Sequence, residues 1–348
     1  MIQNIIISIF VISIIILVHE LGHYIFARIF KVKVFEFSIG FGFKLFQKQI
    51  KGTLYSIRVL PFGGYVRLAG VDKSPDSDKY LASESFNSLR YLKKVVILAS
   101  GSFANILFGF LILFMMNYVI GIPDGVSNIV DQVYNNTPAQ VSGIKEGDTI
   151  YSINKKEVTD GSVVIQKIRL SEGAKIDIAL KRSSEMINIT ISPSLDIKAK
   201  TYYAGFKLKP IRIKKMTLTK SVKESFSELY SYFILILSAF WGLIIGKISF
   251  VQISGPLGIV SLTGEMVNYG LLYLFRFIVI LNINLSIINM LPIPALDGGR
   301  IMILTVEKLI RKTLKEETVD RIHYFGGLVL MTLLVYITYM DIRKLIIK

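Results

Sequence analysis

Long apolar runs alternate with charged connections along this chain. Residues 5–30, 95–120 and 271–291 are each rich in Ile, Leu, Val and Phe over a length that suffices to cross a bilayer as a helix. A shorter apolar run over 324–339 follows a charged stretch and predicts one more membrane helix. The pattern therefore predicts a polytopic α-helical membrane protein.

The apolar run over 226–245 has two interpretations. Its length is close to what a membrane span needs. However, Glu228, Ser231 and Ser238 interrupt it, and such polar positions are typical of a helix that lies along the membrane surface. Both interpretations stay open at this point.

Residues 34–70 have a different pattern, in which short runs of β-branched and aromatic residues are broken by glycine. Five cationic residues lie within this segment, namely Lys44, Lys48, Lys51, Arg58 and Arg67. The pattern predicts a β-hairpin. It can be a simple cytoplasmic hairpin or a strand edge beside an active site, and both interpretations stay open.

Residues 123–215 alternate between apolar and polar positions with a period of two, so we expect a soluble, mostly β domain. The segments 138–139, 143–148 and 150–154 are typical of a PDZ domain. The groove of such a domain can bind an extended peptide by adding it to the sheet as a strand. We therefore expect peptide ends or substrate ectodomains as partners at this domain.

The composition narrows the class of partner. The 348 residues are 52% hydrophobic, and their formal net charge is +16 at pH 7. The Lys and Arg residues cluster beside the apolar runs and no nucleic-acid motif is present, so the charge favours a lipid bilayer over nucleic acid. Two clusters lie in the short connections 31–94 and 300–321. Placing both in the cytoplasm satisfies the positive-inside tendency and puts the PDZ-like domain outside.

The N-terminal apolar run is similar in place to a signal peptide, but it has no basic n-region and no small-residue cleavage site. It also ends in the motif His19-Glu20-Leu21-Gly22-His23, which cleavage would discard. We therefore expect the run to remain as the first membrane helix.

This motif predicts a metal site. Two residues four apart lie on one face of a helix, so His19 and His23 can share a metal ion. Glu20 is then close enough to accept a proton from a water on that ion. The chain has only 3 histidines, and two of them lie in this motif. A chance match is the alternative, but ionisable residues in a membrane helix are expensive and functional by default.

A catalytic zinc ion needs three protein ligands and an open position for water. Because the chain has no cysteine, the third ligand must be His, Asp or Glu. Asp297 is favoured, since it follows two prolines at membrane depth, where non-helical backbone is tolerated only around a buried or watered site. The alternatives are His323 as the ligand and a helix-capping role for Asp297.

These motifs occur in the order found in the site-2 proteases, a family of intramembrane zinc proteases. The chain resembles this family, and its bacterial members most, from about Leu17 to the C-terminus. The segments that carry the resemblance are the pentapeptide from His19 to His23, Gly101-Ser102-Phe103-Ala104-Asn105, the PDZ-like insert, and Asn289-x-x-Pro292-x-Pro294-x-Leu296-Asp297-Gly298.

The resemblance implies a Zn²⁺ cofactor and assigns roles to individual residues. It implies that His19, His23 and Asp297 bind the metal and that Glu20 is the catalytic base. It also implies a set of residues that bind substrate or shape the site, namely Asn289, Pro292, Pro294 and, less closely matched, Asn284 and Asn105.

The resemblance further implies an architecture. About four transmembrane helices are expected, with residues 34–68 as a membrane-associated β-loop, 226–245 as a membrane-surface helix and one extracytoplasmic PDZ-like β domain. The first two transmembrane helices and the β-loop are expected at 1–121, and the PDZ-like domain at 122–215. The surface helix and the last two transmembrane helices are expected at 216–348.

The sequence departs from the family pattern at three places. Ser102 stands where the family usually has proline, and Arg300 stands where close relatives have histidine. The insert has room for one PDZ domain rather than two, so any selection of substrates by size can differ.

Three functions are compatible with these features. The resemblance implies an endopeptidase of the bacterial cytoplasmic membrane that cleaves transmembrane segments of single-pass proteins, such as anti-sigma factors or remnant signal peptides, in regulated intramembrane proteolysis. The alternatives are a metal carrier that uses His19, His23 and Asp297 as an ion site, and an inactive scaffold that binds peptide ends. Glu20 favours the endopeptidase, because a carrier or a scaffold has no need of an acid beside the metal ligands.

Overall fold

The computed structural model describes residues 2–71, 80–123, 125–158, 160–196, 201–211, 213–248 and 254–346. The chain divides into two compact units. The first unit combines Met1–Met116 with Ser221–Lys348, and the second is Asn117–Lys220.

Helices and strands follow the predicted alternation of apolar runs and period-two segments. The helices, in chain order, are α1 (Ile2–Ile29), α2 (Tyr91–Met115), α3 (Pro138–Val141), α4 (Gly161–Arg169), α5 (Leu218–Ile244), α6 (Pro256–Tyr269), α7 (Leu271–Met290), α8 (Asp297–Ile310) and α9 (Glu316–Ile346). The strands are β1 (Val34–Ile50), β2 (Thr53–Leu68), β3 (Ile122–Pro123), β4 (Val126–Val133), β5 (Thr149–Ile153), β6 (Lys156–Glu157), β7 (Ile176–Arg182), β8 (Glu185–Ile191), β9 (Ser194–Asp196), β10 (Thr201–Tyr203), β11 (Phe206–Pro210) and β12 (Ile213–Lys214).

Five helices in the described part of the chain are long and apolar enough to cross a membrane. Four of them, α1, α2, α7 and α9, contain the runs from which spans were predicted. The fifth is α5, which was expected at the membrane surface but meets the same criterion of length and composition. The surface placement of α5 and the count of four therefore stay predictions.

Helix α5 packs against α2 and α7 in the first unit. These helices share a buried apolar core formed by Leu113, Leu229, Val279, Ile283 and Ile287. The charge of Glu228, which interrupts the apolar run of α5, has a partner on α7, because Arg276 Nε lies 3.0 Å from its Oε1. The polar position that favoured a surface helix is thus satisfied within the helix bundle.

The hairpin of β1 and β2 contains more strand pairings than a two-stranded ladder. Residues 36–39 have strand partners in both 54–57 and 64–67, and the later part of β1, 44–50, pairs with 53–58. The first half of β2 therefore lies between two parts of β1. Its last part, 64–67, has a strand partner on one side only among the described residues, so it forms an edge of the sheet.

The second unit is built on a six-stranded sheet in the order β11-β4-β5-β7-β8, with β6 paired to β5. Asp160 caps the N-terminus of helix α4, because its side chain accepts a hydrogen bond from the Ser162 backbone N–H. Inward-facing positions of the strands form one buried apolar core with α4, which includes Val130, Ile150, Ile178, Leu180 and Val164. The period-two pattern thus predicted the β character of this unit correctly.

Candidate active site

His19, His23 and Asp297 lie together, although 278 residues separate the first from the last. The two histidines are one turn apart in α1, and Asp297 is the first residue of α8. The histidine Nε2 atoms are 3.1 Å apart, and Asp297 Oδ2 lies 3.1 Å from His19 Nε2 and 3.3 Å from His23 Nε2. Among the described residues, this is the one group of His, Asp or Glu side chains close enough to hold a metal ion.

The spacing of these three atoms fits a tetrahedral metal ion. Zinc is bound by histidine nitrogen and carboxylate oxygen at about 2.0–2.2 Å, so two ligand atoms of a tetrahedral site lie about 3.3 Å apart. The observed separations are 3.1–3.3 Å. The donor set, two imidazoles and one carboxylate, is also that of a catalytic zinc site with one position left for water.

The hydrogen bond on the far side of His23 fixes which nitrogen faces the cluster. Its Nδ1 donates to the Ile97 carbonyl oxygen at 2.8 Å, which leaves the Nε2 lone pair directed at His19 and Asp297. Lone pairs and a carboxylate oxygen repel one another at this range unless a cation lies between them. His19 Nδ1 is buried and has no protein partner among the described residues. The electrostatics of the group therefore fit a bound cation.

Helix α2 approaches the two histidines through a glycine. A methyl group at Gly101 would lie 2.5 Å from His23 Nε2 and 2.7 Å from His19 Nε2. Any side chain at this position would occupy the space in which a metal ion fits. On α1, Gly22 lies next to His23 in the sequence and allows the close approach of α1 to the backbone of Ser100 in α2.

The turn between α7 and α8 places Asp297. A methyl group at either Gly298 or Gly299 would collide with the backbone of the turn, so both positions need glycine for the chain to fold back this tightly. His323 supports the same turn, because its Nδ1 accepts a hydrogen bond from the Ala295 N–H at 3.0 Å. His323 is therefore not part of the ligand cluster, and the alternative that makes it the third ligand is wrong.

A cavity of about 410 Å³ opens beside the cluster. Glu20 lines it together with the three clustered residues and interacts electrostatically with all of them. The walls are otherwise mainly apolar and include Ile16, Ile97, Leu98 and Leu285. A carboxyl group thus lines a mainly apolar cavity next to the candidate metal site.

The sheet edge at 64–67 forms one wall of this cavity, through Tyr65 and Val66. The edge lies close to the catalytic motif, since a methyl group at Gly64 would come within 3.8 Å of Glu20 Cγ. From the sequence, this segment could be a simple cytoplasmic hairpin or a strand edge beside an active site. The structure has a strand edge there.

Glu36 links this edge strand to the rest of the sheet through hydrogen bonds. Its carboxylate, 1% exposed, accepts hydrogen bonds from Ser56 Oγ and Arg58 Nη2 at 2.7 Å and from Arg67 Nη2 at 2.9 Å. Burial raises the pKa of this carboxyl group, but the hydrogen bonds from Ser56 and Arg58 outweigh it and hold the pKa below its ordinary value. Glu36 thus stays ionised and links the edge strand to the central strand.

Of the five predicted substrate-binding and site-shaping residues, one lines the cavity and four do not. Asn289 lines the cavity, with its Nδ2 3.3 Å from His19 Nε2. Pro292 and Pro294 lie in the turn that leads to Asp297 and do not line the cavity. Asn105 is fully buried in α2, Asn284 is half-buried in α7, and neither lines the cavity.

Several cavity residues were not predicted as part of the site. They are Ile16, Tyr65, Val66, Leu68, Val71, Ile97, Leu98, Leu285, Ala295, Leu296 and Arg300. Arg300 had been noted only as a departure from the family pattern. The others have no distinctive chemistry, and only the packing of α2, α7 and the sheet edge around α1 reveals them.

Comparison with known proteins identifies the family. The profile of peptidase family M50 matches residues 7–334. The chain belongs to peptidase family M50. It is therefore a member of a metalloendopeptidase family, as its sequence resemblance implied.

Curated relatives match over almost their whole length. A protein of Clostridium acetobutylicum named as a zinc metalloprotease is 33% identical over 340 residues, which are 97% of each chain. The regulator of sigma-W protease RasP of Bacillus subtilis is 26% identical over 405 aligned positions, covering 94% of this chain and 95% of that one. Zinc is the metal of the family, which confirms the predicted cofactor.

Among solved structures, the PDZ domain of an SdrC-like protein from Listeria monocytogenes is 24% identical and has a TM-score of 0.22. It covers 24% of this chain and 87% of that domain. At a TM-score this low, the similarity has no bearing on fold or ligand.

Proposed function

We propose that this protein is an intramembrane zinc endopeptidase that cleaves the transmembrane segments of single-pass membrane proteins. The observation that carries the proposal is the convergence of His19, His23 and Asp297 beside Glu20, in a cavity formed by apolar helices. A carrier would not need the Glu20 carboxyl group, and a scaffold would not need the cluster.

The residues of the cavity have distinct roles in this proposal. His19, His23 and Asp297 hold the metal, which when bound lowers the pKa of its water and polarises the substrate carbonyl. Glu20 accepts the proton of the attacking water and later returns it to the leaving amine. Asn289 Nδ2, close to the metal-facing nitrogen of His19, donates a hydrogen bond to the substrate carbonyl oxygen.

The edge strand can supply the backbone hydrogen bonds that a helical substrate loses when it unwinds. A membrane helix satisfies its backbone hydrogen bonds internally, so its carbonyl groups are sheltered from attack. The substrate must unwind locally and needs new backbone partners in the apolar cavity. Residues 64–67 offer a strand edge beside Glu20, and the substrate pairs with it as an added strand. The first half of β2 does not offer such an edge, because residues 54–57 already have strand partners on both sides.

The location and partners follow from charge and from the relatives. We propose that the enzyme resides in the bacterial cytoplasmic membrane, with the active site towards the cytoplasm, because the basic connections 31–94 and 300–321 favour that side. The β-rich second unit is then extracytoplasmic and meets peptide ends or ectodomains as a PDZ-like domain. The proposed substrate type is an anti-sigma factor or a remnant signal peptide, cleaved in regulated intramembrane proteolysis, and one relative is named as a regulator of sigma-W protease.

The decisive experiment separates metal binding from catalysis. Glu20→Gln keeps the size of the side chain and all three ligands, so the purified variant should retain zinc and lose cleavage of a single-span test substrate. Glu317→Gln, an exposed position in α9, is the matched control and should keep both. Asp297→Ala should lose zinc. Cleavage by Glu20→Gln at the control rate would refute the proposal, and full zinc content in Asp297→Ala would refute the ligand set.

A further inference from the structure

A positively charged side chain lies in the cavity wall without a partner. Arg300 is in the first turn of α8, three residues after Asp297, and it lines the cavity next to Ala295 and Leu296. It is half-buried, and it makes no side-chain hydrogen bond or ion pair with any described residue. Of the residues that line the cavity, Arg300 is the one lysine or arginine.

The position of Arg300 in the helix does not by itself favour a cation. The N-terminal turn of a helix carries a partial positive charge, which repels a guanidinium group. The guanidinium also lies near the His323 imidazole. Partial burial removes some of its hydration as well. Arg300 therefore does not stabilise this fold by any hydrogen bond or ion pair that the structure describes, and its guanidinium group is available to an anion that enters the cavity.

The position of Arg300 is suited to a substrate side chain. The edge strand 64–67 forms one wall of the cavity, and the turn with the start of α8 forms another. An extended substrate that pairs with the edge directs alternate side chains to opposite faces. The apolar lining suits most residues of a membrane segment, but Arg300 provides a partner for one acidic side chain.

We propose that Arg300 determines specificity, and that it selects substrates with an aspartate or glutamate near the scissile peptide bond. This proposal rests on the proposed function, because it takes the cavity to be the place where substrate binds. Guanidinium and carboxylate groups match in geometry, and the pair is only partly hydrated there, so its strength should exceed that of an ion pair on an open surface.

The experiment measures binding and cleavage separately. The probe is a fluorescein-labelled peptide of about 25 residues, mostly Leu and Ala, with one Glu scanned through the positions around the cleavage site, and a matched series with Gln. Binding is measured to full-length enzyme carrying Glu20→Gln in lipid nanodiscs, so that no turnover occurs. Cleavage is measured with Glu20 intact.

With Arg300 present, one placement of the scanned residue should make the Glu peptide bind about tenfold more tightly than the Gln peptide. This is the ratio expected for one charge-assisted hydrogen-bonded pair. Arg300→Gln should remove this preference and leave Gln-peptide binding unchanged. Arg300→Glu should reverse it, so that the Gln peptide binds more tightly than the Glu peptide. Arg321→Gln, an exposed arginine in α9, is the matched control and should retain the tenfold ratio.

Three results would overturn the proposal. If Arg300→Gln slows cleavage of Glu and Gln peptides equally, Arg300 stabilises the transition state and does not select side chains. If the effect follows the anionic-lipid content of the nanodisc and not the peptide, the guanidinium binds lipid phosphate. If Glu and Gln peptides bind alike to the Arg300 enzyme, no selection exists. A protein that binds the Glu peptide preferentially but cleaves nothing would refute the proposed function and leave this inference standing.

Discussion

Gly101 of α2 faces His23 of α1 across so narrow a gap that a methyl group at Gly101 would lie 2.5 Å from His23 Nε2. The space beside the two imidazoles therefore exists only because position 101 has no side chain. This relationship makes the candidate metal site a product of helix packing as much as of the histidine motif.

Gly101→Ala should impair metal binding without unfolding the helix. Alanine is a better helix former than glycine, so α2 should remain intact. The added methyl group displaces an imidazole or fills the metal position, and zinc affinity should fall about tenfold or more. Metal content after dialysis against a zinc buffer measures this. Gly109→Ala is the control, because its methyl group would make only ordinary contacts, the nearest at 3.5 Å. Unchanged zinc affinity in Gly101→Ala would contradict the close approach.

A proline in the edge strand should weaken substrate binding. The Val66 backbone amide faces Glu20 on the cavity side, and Val66→Pro removes that N–H. In a Glu20→Gln background, which excludes effects on the base, binding of the single-span peptide should weaken about tenfold while zinc content stays constant.

Gln47→Pro is the matched control for this test. Residue 47 lies in the strand segment 44–50, on the other edge of the same sheet, and is exposed. It should bind the peptide normally. Equal binding by the two proline variants would show that the substrate does not pair with residues 64–67.

Glu36→Gln should loosen the edge strand. The substitution leaves the guanidinium groups of Arg58 and Arg67 without their buried anion, and breaking a buried ion pair in this way costs about 3 kcal/mol. Hydrogen exchange of the amides in 36–39 and 64–67 should become faster, and the KM for a cleaved substrate should rise. Zinc content should not change, because no ligand contacts Glu36. Protection of these amides at the wild-type level would contradict the structural role of Glu36.

Acid should destabilise the second unit through Asp148. Its buried carboxylate accepts hydrogen bonds from Arg182 Nε at 2.7 Å and from the Lys145 N–H at 2.8 Å. Burial raises the pKa of Asp148, but the Arg182 hydrogen bond and the Lys145 amide outweigh it and lower the pKa below its ordinary value near 4. The pair therefore contributes its full stability above pH 4 and loses it as the pH falls towards the lowered value.

Hydrogen exchange of residues 126–210 in the full-length protein, corrected for the intrinsic rate at each pH, measures this loss. Asp148→Asn should flatten the pH dependence. Asp131→Asn, at the half-buried pair with Lys207 at 3.4 Å, should leave it unchanged. A profile that stays flat from pH 6 to pH 3 in the unmodified protein would contradict the prediction.

The sequence predicted the candidate metal ligands and base better than the other residues that line the cavity. His19, Glu20 and His23 are close in the chain, so helical periodicity alone brings them together. Asp297 was found from two prolines, the absence of cysteine and the family resemblance, and the structure places it beside both imidazoles. Gly101 was known only as part of a motif, because its contact with the histidines depends on how α1 and α2 pack.

The strand order and one helix could not be predicted for related reasons. The alternation of residues 34–70 indicates strands, but it does not tell which of them lies at the edge, since that depends on register. The segment after Gly255 contains a proline and further glycine, which usually interrupt helices. Pro256 instead occupies the first turn of α6, where its missing N–H has no consequence.

The proposed ligand set is divided between two helices that are far apart in the sequence. Two imidazoles leave the ribosome with the first helix, whereas the carboxylate that completes the set follows 278 residues after His19. With this ligand set, a nascent chain should be inert until Asp297 has been synthesised and α8 has folded against α1. Premature termination upstream of that carboxylate should yield a product without hydrolytic activity.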